Sequence, residues 1–259
     1  MLEFATLAAI GLAVGLIVGL TGVGAGSVMT PILIGGFGIP APIAVGTDLA
    51  AAAVSKTAGT IAHRASHNVS TSVVVALATG SVPAAIGTLL WLSNAGLAPD
   101  ALNHLIRTSV GIALVISIVA LMLRQQLRRW GSAHIRVARA ATWRPIVTAL
   151  IGAAIGIAVV LSSLGAGAIG AALIAMLYPE LEPAEIAGSD IAHAVPLTAI
   201  AAAGHAWMGT VDVQLLVALL VGSIPGTIAG SLAARSLPSR WLRYALMGTL
   251  GFAAVKLLS

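Results

Sequence analysis

The chain alternates long apolar stretches with short polar punctuation, and the stretches are too long and too uniform for a half-buried strand or a surface helix. No charged residue lies between Glu3 and Asp48, between Arg144 and Glu180, or between Asp212 and Arg235. About 20 apolar residues cross a bilayer as one helix. The punctuation therefore predicts spans over about 41–63, 70–92, 105–123, 184–207, 213–234 and 241–258. Each set of three follows a longer uncharged, glycine-rich segment, 4–37 and 146–178, broken by GVGAGS and SLGAGA respectively. Such a segment is one long broken helix or a hairpin of two short ones. Glycine permits backbone conformations that other residues avoid. Non-helical backbone survives at membrane depth only when protein buries it or when it lines a polar cavity.

The same pattern occurs twice. An offset of 142 pairs Gly46 with Gly188, Asp48 with Asp190, His63 with His205 and Val69 with Val211. It also lays GSVPAAIG over GSIPGTIAG, so that Pro83 meets Pro225, and a one-residue gap brings Gly24 and Gly26 onto Gly165 and Gly167. Apolar low-complexity sequence aligns Ala and Leu by chance easily, but not paired Asp, His and Pro at one offset. The halves align over about 11–123 and 149–258. The expected organisation is an N-terminal repeat over 1–123, an Arg-rich cytoplasmic linker over 124–144 and a C-terminal repeat over 145–259.

Composition narrows the class. Of 259 residues, 59% are hydrophobic and 8% charged, against roughly 25% charged in a soluble domain. The 13 basic and 8 acidic side chains cannot cover a globule of this size. That excludes a cytosolic enzyme, a nucleic-acid-binding module and a disordered chain, and leaves an all-α polytopic membrane protein with about 8–10 membrane segments. With no cysteine, disulfides, thiol nucleophiles and cysteine-ligated metals drop out. The N-terminus, MLEFATLAAIGLAVG, lacks a basic n-region and a small-residue cleavage site, so no cleaved signal peptide is expected.

Charge placement sets topology. Arg124, Arg128, Arg129, Arg136, Arg139 and Arg144 lie together without an acid, which marks their stretch as cytoplasmic. Arg64–His67 then falls inside and Asn94–Asp100 outside. One span in each opening segment would make the halves parallel and put Arg235, Arg240 and Arg243 outside. A hairpin makes the halves inverted and brings those arginines inside. Charge favours the inverted arrangement, in which Glu180, Glu182 and Glu185 are also inside. Trp130 and Trp143 suit a linker lying on anionic lipid. Arg107 is expected to snorkel at an outer span end, and Trp91 and Trp241 to anchor at the interface.

Ionisable residues inside a bilayer are costly and mark functional sites by default. Here they are Asp48, Lys56, Asp190 and His193, with His63 and His205 near span ends. At 1.5 Å per residue, Lys56 lies about 10 Å from the cytoplasmic end of its span. In the inverted arrangement Asp190 shares that depth, so the two can pair across the repeat interface. Such a pair either fastens two helices or supplies charge on an anion path. GVGAGS has the wrong context for dinucleotide binding, since no strand precedes it. A short helix beginning after the break instead offers N–H groups to an oxyanion. Thr21, Ser27 and Thr30, with Ser162 and Ser163, add hydroxyls. The plainer use of glycine is close packing, expected at Gly11, Gly15 and Gly19. His63 and His67 have a spacing two metal ligands can use, but no third ligand is near and Arg64 repels a cation. Ser55 and His63, the one tempting nucleophile–base pair, sit about 12 Å apart along a helix.

GLIVGLTGVGAGSVMTPIL, then VGTDLAAAAVSKTAGTIAHRASHNV and GSVPAAIG, resemble the TauE/SafE sulfite-exporter family. The second-half echo in SLGAGA, GSD and GSIPGTIAG matches its two-repeat plan. This chain departs from the family at Gly24-Ala25-Gly26, where the glycine cluster is usually denser. The repeats also differ, with Pro31 aligned to Ala172 and Lys56 to Thr198. The resemblance implies a multi-pass transporter of the cell inner membrane that moves sulfite, an organosulfonate or a related small anion, with outward transport expected. The expected anion site is Thr21, Gly22, Gly24, Gly26, Ser27, Lys56, Ser162, Ser163, Gly165 and Gly167. The expected coupling or gating groups are Asp48, His63, Asp190, His193 and His205. No cofactor, metal or nucleic acid is expected; the partners are the anion and the bilayer. Glycine-rich faces permit a homo-oligomer without demanding one. An anion channel with the same path remains the alternative.

Overall fold

The computed structural model describes residues 2–21, 26–65, 68–134, 143–165, 167–233, 248, 251 and 253–257. Among them the chain is helical throughout: α1 (Leu2–Thr21), α2 (Gly26–Phe37), α3 (Ala41–Ala65), α4 (Thr71–Asn94), α5 (Pro99–His134), α6 (Trp143–Ser162), α7 (Ala168–Leu177), α8 (Pro183–Trp207) and α9 (Val213–Ala233). Five of these are long and apolar enough to cross a membrane, within α4, α5, α6, α8 and α9. The fold is that of a polytopic helical membrane protein. The expected spans over 70–92, 184–207 and 213–234 match α4, α8 and α9 closely, while α3 has nearly the bounds expected for 41–63 but is not among the five. The span expected over 241–258 lies largely outside the described residues, as do Trp241 and the arginines at 235, 240 and 243. Helix α5 is longer than the 105–123 span, and 36 residues make about 54 Å of helix. It continues through LRQQLRR, residues with good helix propensity, so the first part of the basic stretch is helix and not loop.

Both opening segments are broken into two helices. At 12 and 10 residues, α2 and α7 measure about 18 and 15 Å, too short to span a bilayer. The chain direction follows from contacts. Gly11 and Gly15 of α1 lie on the backbone of Leu219 and Ser223 in α9, while Gly222, Gly226 and Gly230 lie on that of Ala8, Leu12 and Leu16. Helices α1 and α9 therefore run side by side in the same direction. Helices α4 and α6 do likewise: Gly152 lies on Leu77, Gly156 on Ser81 and Gly80 on Ala149. At each of these glycines a Cβ would strike main-chain atoms, so only glycine lets the helices approach this closely.

The α3–α8 pair runs the other way. Gly46, near the start of α3, meets His205 and the Thr210 carbonyl at the end of α8. Past the other end of α3, the Ser70 N–H donates to Ser189 Oγ at 2.9 Å. Helix α8 runs with α4, since Ser81 pairs with His193 and Leu89 packs on Gly204. The start of α9 lies beside the start of α3, where Asp212 N–H donates to Thr47 Oγ1. Since α1 runs along α9 and α3 begins near the start of α9, the short α2 must double back. The same reasoning makes α7 double back between α6 and α8.

Large apolar side chains such as Val75, Ile112, Leu150, Val221 and Ile228 face outward, as lipid contact requires. The buried set includes an unusual share of polar groups. Arg107 does more than snorkel: its guanidinium donates to the carbonyls of Lys256 and Leu257, both at 3.2 Å, capping the last described helix.

Candidate functional site

Asp48 is fully buried, seven residues and so about 10 Å into α3. Its Oδ2 accepts two hydroxyl hydrogens, from Thr30 Oγ1 of α2 and from Ser163 Oγ, each at 2.7 Å. Asp48 Oδ1 has no hydrogen-bond partner among the described residues. Ser163 belongs to the break between α6 and α7 and has φ 58°, a left-handed conformation uncommon outside glycine. Gly165, at φ 122°, and Gly167, at φ 155°, carry the chain through backbone that L-residues avoid. Ser163 and Leu164 are buried, as membrane-depth irregular backbone must be.

The far side of the break meets the second carboxylate. Gly170, in the first turn of α7, abuts Asp190 Oδ1 so closely that a Cβ there would collide with it. Asp48 and Asp190 thus flank one stretch of non-helical chain. Lys56 is half-buried on α3, about two turns beyond Asp48, with Asp48 and Asp190 the buried acids of the same helical core. An intramembrane cation needs such partners, because an uncompensated charge away from water is costly.

Both core histidines are fully buried. His193 Nε2 lies 2.8 Å from Ser81 Oγ, and its Nδ1 has no hydrogen-bond partner among the described residues. His205 Nε2 lies 3.0 Å from the Val160 carbonyl; a carbonyl only accepts, so that nitrogen carries the proton. Its Nδ1 pairs with Thr210 Oγ1 at 2.8 Å. His205 therefore ties the end of α8 to α6 three residues before the break at Ser163.

Several expected site residues separate from this cluster. Ser162 Oγ donates to Ala158 O and accepts from Leu164 N–H, so it stabilises the end of α6 locally. Ser55 Oγ is likewise engaged with Ala51 O. Gly22, Gly24 and His67 lie outside the described residues, and the side chains of Thr21, Ser27 and His63 do too. Gly26 opens α2. Sequence reasoning missed Ser81, Gly170, Ser189 and Thr210. Ser81 was within reach, since it stands in the GSVP motif whose glycine and proline alone drew notice.

A second polar cluster lies where the basic stretch meets α6. Arg144 is buried, donating to Glu180 Oε1 and Oε2 at 2.9 and 3.2 Å and to the Leu177 carbonyl. It also stacks over Tyr178 at 4.5 Å, whose hydroxyl bonds Thr148 Oγ1 at 2.9 Å. One arginine thus binds α6 to the C-terminus of α7, where a cation is favoured. It also explains an acid on the basic side of the molecule.

The profile of a family described as sulfite exporter TauE/SafE matches residues 7–257. A relative from Bacillus subtilis (strain 168), the probable membrane transporter protein YjnA, is 37% identical over 220 residues, covering 82% of this chain and 83% of the relative. No solved structure matches the chain.

Proposed function

The chain belongs to the TauE/SafE sulfite exporter family, and from that premise we propose that it is a secondary transporter exporting a small oxyanion such as sulfite or an organosulfonate. The observation that carries the reading is the buried irregular backbone at Ser163–Gly165, which reaches Asp48 on one side and leads to Gly170 against Asp190 on the other, with Lys56 half-buried on the helix that carries Asp48. Irregular backbone and paired charges are both expensive in a bilayer, and a purely structural protein gains little by combining them. Half-helix termini at such breaks hold substrates in many transporters built from inverted repeats. The anion lies between the two glycine-rich breaks, Thr21–Ser27 and Ser162–Gly167. Hydroxyls and backbone N–H groups hold it there, and Lys56 supplies positive charge. Asp48, Asp190 and His193 are the groups that link its movement to protons, with His63 and His205 toward the ends of their helices.

The two halves are inverted repeats, and one rocks against the other. Two features support this. Helices α3 and α8 are equivalent under the sequence offset yet run antiparallel. The α1–α9 seam also uses residues equivalent to those of the α6–α4 seam: Gly11 on Leu219 corresponds to Gly152 on Leu77, and Gly222 on Ala8 to Gly80 on Ala149. A pseudo-two-fold axis in the membrane plane produces both.

The deciding experiment is uptake of sulfite, methanesulfonate, thiosulfate, sulfoacetate and acetate into proteoliposomes, with and without a pH gradient. Saturable, gradient-dependent flux is expected. Non-saturating flux would make the protein a channel, and no flux would remove the anion reading. Topology has an independent test, because the chain is naturally free of cysteine. Single cysteines at Ala65 and Arg235 should react with an impermeant thiol reagent from the same side; reaction from opposite sides would overturn the inverted arrangement.

A further inference from the structure

Resting on the anion-transport reading, we propose that the Asp48 carboxylate is a resident anion, holding the hydroxyl donors that the transported anion needs. The cargo then enters only when Asp48 takes up a proton, and each monoanion travels with one proton.

The geometry is specific. A hydroxyl has one hydrogen, and both Thr30 and Ser163 spend theirs on the same oxygen, Asp48 Oδ2. Thr30 comes from the first half of the chain and Ser163 from the second, so the carboxylate sits where a bound anion would bridge the halves. Asp48 Oδ1 is buried and has no hydrogen-bond partner among the described residues. A carboxylate solvated on one oxygen only is incompletely stabilised as an anion, and its bare oxygen is the place for a proton.

The step balances. A proton binds Oδ1, forming an O–H bond and neutralising Asp48. Oδ2 becomes a weaker acceptor, the two hydroxyls turn to the incoming anion, and the Oδ1 hydroxyl adds a third donor. On the other side the anion leaves, the O–H bond breaks, the proton follows, and Oδ2 recovers both hydroxyls. The empty carrier therefore returns with its site filled by its own carboxylate. Were Asp48 ionised while the anion was bound, two negative charges would compete for the same donors.

The surroundings allow Asp48 to change charge alone. Of the charged groups near it, Lys56 is on its own helix, eight residues further along, and Asp190 is on α8. Helix α8 also brings His193, paired with Ser81, and His205, held by Thr210 and Val160. Helix α9 begins beside Asp212, which caps it through Leu215 N–H. On α5, Asn103 caps α3 at Ala41 and Arg107 is engaged with carbonyls. Helix α2 carries no charge.

The test uses the purified full chain in proteoliposomes with labelled methanesulfonate, whose charge is constant across the neutral range, and a trapped pH dye. For the wild type, anion influx should carry protons inward one for one. Apparent affinity should fall about tenfold per pH unit once Asp48 is mostly ionised. Asp48→Asn, a permanently neutral stand-in, should still exchange labelled for unlabelled methanesulfonate, more slowly. It should lose gradient-driven accumulation and the dye response. The double variant Thr30→Val/Ser163→Ala should lower affinity at least tenfold while leaving one proton per anion. Accumulation by Asp48→Asn against a gradient, or wild-type affinity in the double variant, overturns the proposal. Wild-type transport without proton movement overturns it too, but spares the transport reading. If the wild type moves neither methanesulfonate nor sulfite, the transport reading falls first.

Discussion

Arg144→Met removes a cation that holds α6 to the end of α7, and its cost can be worked from the contacts. At 2.9 Å and an effective dielectric near 20, the gross attraction between Arg144 and Glu180 is about 6 kcal/mol. Most of that offsets desolvation, because the arginine side chain is only 6% exposed. Breaking a buried pair by removing one partner costs about 3–5 kcal/mol. Glu180 is 18% exposed and recovers some hydration, which places Arg144→Met near 3 kcal/mol. Glu180→Gln should cost about 1–2 kcal/mol, since the guanidinium keeps the Leu177 carbonyl and the Tyr178 ring and gains an amide oxygen. The double variant should fall short of the sum by about 1–2 kcal/mol. Unfolding in mixed micelles with SDS as denaturant measures all three. An Arg144→Met loss below about 0.5 kcal/mol, or strict additivity, would mean that the pair is a solvated surface contact and the helix-tying argument is wrong.

Four further outcomes follow from the geometry. Gly80→Leu and Gly222→Leu should each destabilise by at least about 3 kcal/mol and reduce yield, because the clash is with backbone and cannot rotate away; Gly87→Leu, facing open space, should be tolerated, and equal yields would refute the close-packed seam. Gly170→Ala should displace the Asp190 carboxylate and lower transport at least tenfold with expression retained, so full activity would separate Asp190 from the path. Replacing Gly24 or Gly26 by Val should abolish transport and leave expression intact; normal transport by both would remove the first break from the site. Ser81→Ala should cost about 1 kcal/mol by taking the partner from His193 Nε2, read as a shift in unfolding midpoint.

Bilayer physics made much of this protein legible from its residues alone. Twenty apolar residues without a charge have one stable environment, so the class and the bounds of α4 and α9 follow from local pattern. The break near Gly165 was equally visible, because a glycine run interrupts otherwise uniform helix, while the expected break at Gly24 lies outside the described residues. Charge outside the apolar stretches favoured a hairpin, and the chain does double back at α2 and α7.

What periodicity could not reveal is lateral neighbourhood. Whether α1 packs on α9 or elsewhere depends on which glycine faces fit together, a property of two surfaces and not of either sequence. Ser162 and Ser163 are adjacent and chemically identical, yet one turns back onto Ala158 and the other reaches Asp48, because only Ser163 adopts the left-handed conformation that ends α6. Gly170 looked like any packing glycine until α8 placed Asp190 against it. The residue types at the site were set by sequence. Their pairing was decided by how α2, α3, α8 and the end of α6 meet, which brings hydroxyls and carboxylates distant in the chain within reach of one another.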